Sequence, residues 1–225
     1  MHIPDGFISG STAVVTGVVS AGAVAYALKE GRETLEDRQI PLVGVTAAFV
    51  FAVQMINFPV GLGTSGHLVG GALASVLLGP WLAALVLAVV LLVQALAFAD
   101  GGITALGANV LLMGVVAGVG GGYAFRSLAR VLPRTSTGFL TAAGVTAWLS
   151  VVVASVVCSV LITFGGVFGA EEFGPVLASM VGLHALIGIG EAAITVAAVS
   201  AVLASRPDLV ADSQLLPARG RAVTA

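Results

Sequence analysis

The chain has 225 residues, 58% of them hydrophobic and only 9% charged, with a formal net charge of −2 and a mean hydropathy of +1.11. That balance excludes a soluble globular domain and describes one integral-membrane domain that takes up the whole chain, 1–225. No basic patch offers itself to nucleic acid, and a single cysteine, Cys158, excludes a disulfide framework.

Crossing about 30 Å of hydrocarbon takes roughly 20 apolar residues. Seven runs come close, at 7–28, 41–57, 66–79, 80–98, 105–125, 138–164 and 176–204. Each is apolar on every face, so periodicity assigns no buried side. Helix follows instead from the need to satisfy every backbone group within lipid. The expected fold is an all-α polytopic membrane protein of about seven transmembrane helices.

The first run also reads as a secretory signal peptide, since Ala21-Gly22-Ala23 resembles a cleavage site, but it lacks the basic leader such a peptide needs. Its charges follow it, at Lys29, Arg32 and Arg38. Arg126, Arg130 and Arg134 come after the fifth run, and Arg206, Arg219 and Arg221 lie in the tail, 206–225. Alternating crossings therefore put all nine basic residues on one side. The other side keeps Asp5, Asp100, Glu171 and Glu172. The positive-inside rule then predicts an amino terminus outside, a cytoplasmic tail, and a place in the cytoplasmic membrane.

The third run is short and follows the Pro/Gly-rich stretch Asn57 to Gly63, which cannot be helix throughout. Irregular backbone at membrane depth is tolerated only where protein or a water-filled cavity covers it. His67 is then expected below the surface at a helix start, capped by Thr64 or Ser65, with the helix dipole keeping its imidazole neutral. The other reading is a histidine merely hydrogen-bonded in a polar loop.

The chain begins Met1-His2-Ile3-Pro4-Asp5-Gly6. Removal of methionine requires a small second residue, so Met1 before His2 is expected to be retained. The amine of Met1, the amide nitrogen between Met1 and His2, and Nδ1 of His2 close a five-membered and then a six-membered ring around one metal. Those rings are planar, which suits Ni(II) or Cu(II) and to some extent Co(II), and His67 is the candidate for the open corner. The other reading treats His2 as chance. Only three histidines exist, however, and the remaining two, His67 and His184, lie near or inside apolar runs.

Intramembrane ionisable groups are costly and default to function. Glu191 is the one acidic residue inside a run, and His184 sits seven residues earlier on the same helical face. They read either as a cation path or as a hydrogen-bonded structural pair. Asn57, Gln94, Asp100, Thr104 and Asn109, near outer ends, are candidates for contacts that support the ligands from behind. Small residues recur at four-residue spacing at Ala48 and Ala52 and at Gly71, Ser75 and Gly79, and cluster from Gly118 to Gly122. Such stripes serve close helix packing, internally or against a membrane partner. The sole lysine, Lys29, is in Leu28-Lys29-Glu30-Gly31, so no phosphate-binding Gly-Lys-Ser/Thr run exists and energy for transport must come from elsewhere.

Met1-His2-Ile3-Pro4-Asp5-Gly6, then Gln54-Met55-Ile56-Asn57-Phe58-Pro59 leading to Gly63-Thr64-Ser65-Gly66-His67, and His184 through Glu191 together resemble the CbiM/NikM family across essentially the whole chain. Those proteins are substrate-binding membrane subunits of energy-coupling-factor transporters for cobalt and nickel. The resemblance implies Ni2+ or Co2+ as cargo, held by Met1, His2 and His67. It also implies a transmembrane coupling protein, two ABC-type ATPase subunits and a small auxiliary membrane protein as partners, with no catalysis by this chain itself. Longer family members carry the auxiliary region fused; here a separate chain is expected to supply it.

Two alternatives come from other classes. Gly63-Thr64-Ser65-Gly66 fits the Gly-x-Ser-Gly pattern of rhomboid-like intramembrane serine proteases, with Ser65 as nucleophile and His184 as base. That reading leaves Met1-His2 unexplained. A self-sufficient secondary metal transporter would show internal repeats, and the second half of the sequence does not match the first.

Overall fold

The computed structural model describes residues 1–61 and 64–216. Gly63 of the Gly63–His67 motif, and Arg219 and Arg221 of the tail, lie outside the described residues. The helices are α1 (Gly10–Thr34), α2 (Ile40–Gln54), α3 (Gly71–Leu78), α4 (Pro80–Ala97), α5 (Leu106–Val131), α6 (Ser136–Phe164) and α7 (Phe173–Ser205). The protein is thus an all-α polytopic membrane protein. Among the described residues α1, α4, α5, α6 and α7 are long and apolar enough to cross a membrane. At 15 and eight residues, α2 and α3 are shorter.

Local signals explain the helix starts. The Ser9 side chain accepts from Thr12 N at 3.2 Å to cap α1, and Thr135 accepts from Gly138 N at 3.0 Å to cap α6. Between α3 and α4 the chain turns at Gly79, whose φ of +89° suits glycine, and Pro80 then opens α4 at a position where its missing N–H costs nothing.

The third apolar run departs from expectation. In place of a helix from His67, a short hairpin pairs β1 (Phe58–Gly61) with β2 (Thr64–Gly66), with Phe58 opposite Gly66 and Pro59 opposite Ser65. An extended stretch follows, and α3 begins only at Gly71 behind Gly70, which has φ +73° and no side-chain cap. The expected side-chain cap at this helix start is therefore absent among the described residues. The physical reason lies in α7: Glu191 Oε2 and Oε1 accept the N–H groups of Val69 and Gly70 at 2.7 and 2.6 Å. Gln54 Nε2 of α2 donates to Val69 O at 2.7 Å. Side chains from two other helices therefore take the backbone groups that an earlier helix start would have used.

Small residues do two jobs. Gly71 lies so close to α5 that an added Cβ would stand 2.9 Å from the Ala117 carbonyl carbon, and Ser75 Oγ donates to Gly118 O at 2.5 Å. There α5 is wound as a π-helix over Val110–Gly120. The stripe at Gly71 and Ser75 and the run from Gly118 are thus used for internal packing. Ala48 and Ala52, by contrast, lie on the exposed face of α2.

The two ends of the bundle are closed by different contacts. Residues 1–9 lie with the loop around 100–104 and with Gly165–Val167, through Gly102 N to Ile3 O, Ser9 N to Gly165 O and Val167 N to Phe7 O. At the opposite end Arg126 Nε donates to Asp212 Oδ2 at 2.8 Å, Arg38 lies 4.0 Å from Asp208, and Ala211 N donates to Leu77 O.

Candidate metal centre

The first residues of the chain are interior. Met1 is 1% and His2 4% exposed, although they belong to no helix or strand. Such a strap needs its backbone groups satisfied by others. Ile3 N donates to Asn109 Oδ1 at 2.8 Å, and Asn109 Nδ2 donates to Ile3 O at 3.1 Å, where Gly102 N also donates. Asp5 Oδ1 accepts from Thr104 N and Oγ1 at 2.7 and 2.5 Å. The loop can lie this close because of Gly101-Gly102: Gly101 has φ +93°, and a Cβ on Gly102 would stand 2.4 Å from Asp5 N.

His2 is held by α4. Its Nε2 is 3.0 Å from Gln94 Oε1, and since that oxygen only accepts, Nε2 carries the proton and Nδ1 keeps a lone pair. Nδ1 is buried without a hydrogen-bond partner and lies 3.3 Å from Asp100 Oδ1. A lone pair facing a carboxylate is unfavourable until a proton or a cation neutralises the pair. Asn57 Nδ2 reaches Asp100 Oδ2 from the far side at 3.5 Å.

His67 stacks on His2 with ring centroids 4.4 Å apart and planes inclined by 29°. Its Nδ1 donates to Leu68 O at 2.8 Å, which leaves the lone pair on Nε2, fully buried and without a partner. A histidine whose second nitrogen is tied to a carbonyl has the arrangement usual for a metal ligand, because that bond sets the tautomer. The terminal amine is similarly prepared. Burial lowers its pKa from 8.0 to about 5 despite the opposing pull of Cys158 and Asp100, so it is neutral at pH 7. Burial pushes His2 down as well, against Asp100 and the Gln94 hydrogen bond.

Among the described residues no three His, Cys, Asp or Glu side chains gather as a ligand group. A centre here must recruit backbone nitrogen, which is what an enclosed amine beside two unpartnered imidazole nitrogens offers. A pocket of about 330 Å³ lined by His2, Ser65, Asp100 and Gly101 borders His2.

Of the residues singled out in the sequence, Met1, His2, His67, Gln94, Asp100, Asn57 and Ser65 come together, with Thr104 and Asn109 holding the strap. Ala48 and Ala52 are elsewhere, on α2. His184 and Glu191 are not the hydrogen-bonded pair that was one expectation. His184 Nδ1 donates to Met180 O at 2.7 Å, and both carboxylate oxygens of Glu191 go to Val69 and Gly70. The protease arrangement also fails, because His184 Nε2 has no hydrogen-bond partner and Nδ1 is committed to Met180, which leaves Ser65 without a base. Sequence reading quoted Gln54 only as part of the motif 54–59 and gave it no role, and it missed the paired glycines 101 and 102. A Gly-Gly step directly after a candidate ligand, Asp100, was the available signal for a close backbone approach.

A family model described as "Cobalt uptake substrate-specific transmembrane region" matches residues 2–209. A protein of Haloquadratum walsbyi named for metal transport is 40% identical, with 93% of each chain covered. One of Archaeoglobus fulgidus, named as a fused nickel transport protein NikMN, is 41% identical over 93% of this chain and 68% of its own length. The cobalt transport protein CbiM of Sorangium cellulosum is 33% identical over 96% and 97% of the two chains. Among solved structures, a crystal structure of a transition metal transporter superposes with a TM-score of 0.81 at 28% identity, covering 90% of this chain and 92% of that one.

The strap geometry predicts that Asn109→Ala leaves the buried N–H of Ile3 without an acceptor. Thermal unfolding in detergent should show a loss of about 1–3 kcal/mol. Unchanged stability would mean that the strap is not held in this way.

Proposed function

The chain belongs to the CbiM family of cobalt-uptake substrate-specific transmembrane regions, and on that premise we propose that it is the membrane binding subunit of an energy-coupling-factor importer for Ni2+ or Co2+. The observation that carries the reading is the stacking of His2 on His67, with His2 Nδ1 and His67 Nε2 both buried and without hydrogen-bond partners and the amine of Met1 buried as well. In this account four nitrogens hold the ion in a plane: the amine, the Met1–His2 amide nitrogen, His2 Nδ1 and His67 Nε2. The amide gives up its proton on binding. The metal with its one amide anion keeps a positive charge, which Asp100, 3.3 Å from Nδ1, balances. Gln94 and Leu68 O hold the two rings in the tautomers that coordinate.

The centre then faces the outside, seven crossings alternate, and the carboxyl terminus lies in the cytoplasm. This is supported by the gathering of Arg38 and Arg126 at the end opposite the strap. Energy is supplied by partners: a transmembrane coupling protein and two ABC-type ATPases, because the sequence contains no Gly-Lys-Ser/Thr run. A small auxiliary membrane protein joins them. The fused NikMN relative, of which this chain covers 68%, supports that partner. The exposed face of α2 at Ala48 and Ala52 is the docking surface for a helix of the coupling protein, since small side chains permit close approach in lipid.

Two experiments test this reading. One glycine added ahead of Met1 moves the amine and opens the five-membered ring, so Ni2+ affinity should fall by at least about tenfold; equal affinity in the extended protein would contradict the chelate. Ala48→Trp should keep metal affinity within about twofold while uptake in cells that supply the partner proteins falls at least about tenfold. Normal uptake by that variant would remove α2 as the docking face.

A further inference from the structure

Building on the reading of the chain as a Ni2+ or Co2+ binding subunit, we propose that His184 is a second, inward ligand. It accepts the ion from the four-nitrogen centre on its way through the bundle. His184 is completely buried in α7. Its Nδ1 is 2.7 Å from Met180 O, and a carbonyl only accepts, so the proton is on Nδ1 and the lone pair on Nε2. That nitrogen is buried and has no hydrogen-bond partner. His67 has the same arrangement, with a backbone carbonyl fixing the tautomer and a bare Nε2. A histidine retained only for structure normally has both nitrogens satisfied when buried.

Its position fits a step inward. Met180 borders a narrow gap, too small to hold water, together with Met1, His2, Ser65 and Cys158. His184 lies four residues further along α7 from the end that carries the strap, one turn or about 6 Å. The ring abuts the residue before His67, since a Cβ on Gly66 would stand 3.4 Å from His184 Cε1. Two turns deeper, Glu191 places a carboxyl group on the same face of α7. Neutral imidazole suits both metals. The step is a ligand exchange, in which a bond to His184 Nε2 forms as one to His2 or His67 breaks, with no change of oxidation state.

The test separates holding the ion from passing it on. His184→Ala, with its native amino terminus, should bind one Ni2+ with affinity and absorption spectrum like those of the unaltered protein, yet lose at least tenfold in uptake when the partner proteins are present. His184→Cys, which restores a coordinating atom, should regain uptake. His184→Gln, close in size and still able to donate to Met180 O, serves if the alanine variant fails to fold, and should show the same split. Unchanged uptake by the alanine or glutamine variant overturns the proposal. So does uptake that the cysteine variant fails to restore, or loss of metal binding in a folded His184 variant, which would place the residue in the outer centre itself. If the unaltered protein binds neither Ni2+ nor Co2+, it is the functional reading that fails.

Discussion

Everything at the candidate centre depends on drawing the first residues of the chain into the protein interior. A charged, flexible amino terminus ordinarily stays in water, and burial of its amine is unfavourable unless the amine is neutral. The cost is offset by hydrogen bonds that treat the strap almost as a strand. Asn109 and Gly102 close on Ile3, Thr104 closes on Asp5, and Ile8 bridges to Gly166. The same contacts that hide the amine strip its proton, and thereby turn an ordinary chain end into a nitrogen donor.

His67 reaches that corner by a different device. The stretch before α3 stays extended because Glu191 and Gln54 take its backbone groups, while the strands at 58–61 and 64–66 lead into it at the end of the bundle that carries the strap. A glutamate inside a membrane helix is expensive. Here it receives two N–H donors at the start of α3, where the helix dipole also favours a negative charge. Its place in the fold is to fix the segment two residues from His67. Because Gln54 belongs to α2, whose outer face carries Ala48 and Ala52, a shift of α2 would be felt at Val69 and so near the histidine.

The membrane class and most of the helical runs were legible in the sequence because they rest on apolar length, and Met1, His2 and His67 stood out as motif residues, which the structure brings together. Gln94, Asp100 and Asn57 were legible as polar residues at helix ends, where the structure does bring them together. The start of α3 was not. Thr64 and Ser65 carry good capping chemistry, but Glu191, more than a hundred residues away, overrides them with a stronger acceptor. No local pattern contains that information. The pairing of His184 with Glu191 failed for a related reason. Side chains seven residues apart on a helix are separated by about 10 Å along its axis, and each here has a nearer partner, Met180 O for His184 and the Val69 and Gly70 N–H groups for Glu191.

The most direct measurement is the electronic spectrum and magnetism of the nickel-loaded protein, purified with Met1 as its first residue. A planar centre of four nitrogens predicts a yellow, diamagnetic complex with one Ni2+ per chain. A green, paramagnetic complex, typical of six-coordinate nickel bound by oxygen ligands, would contradict the account.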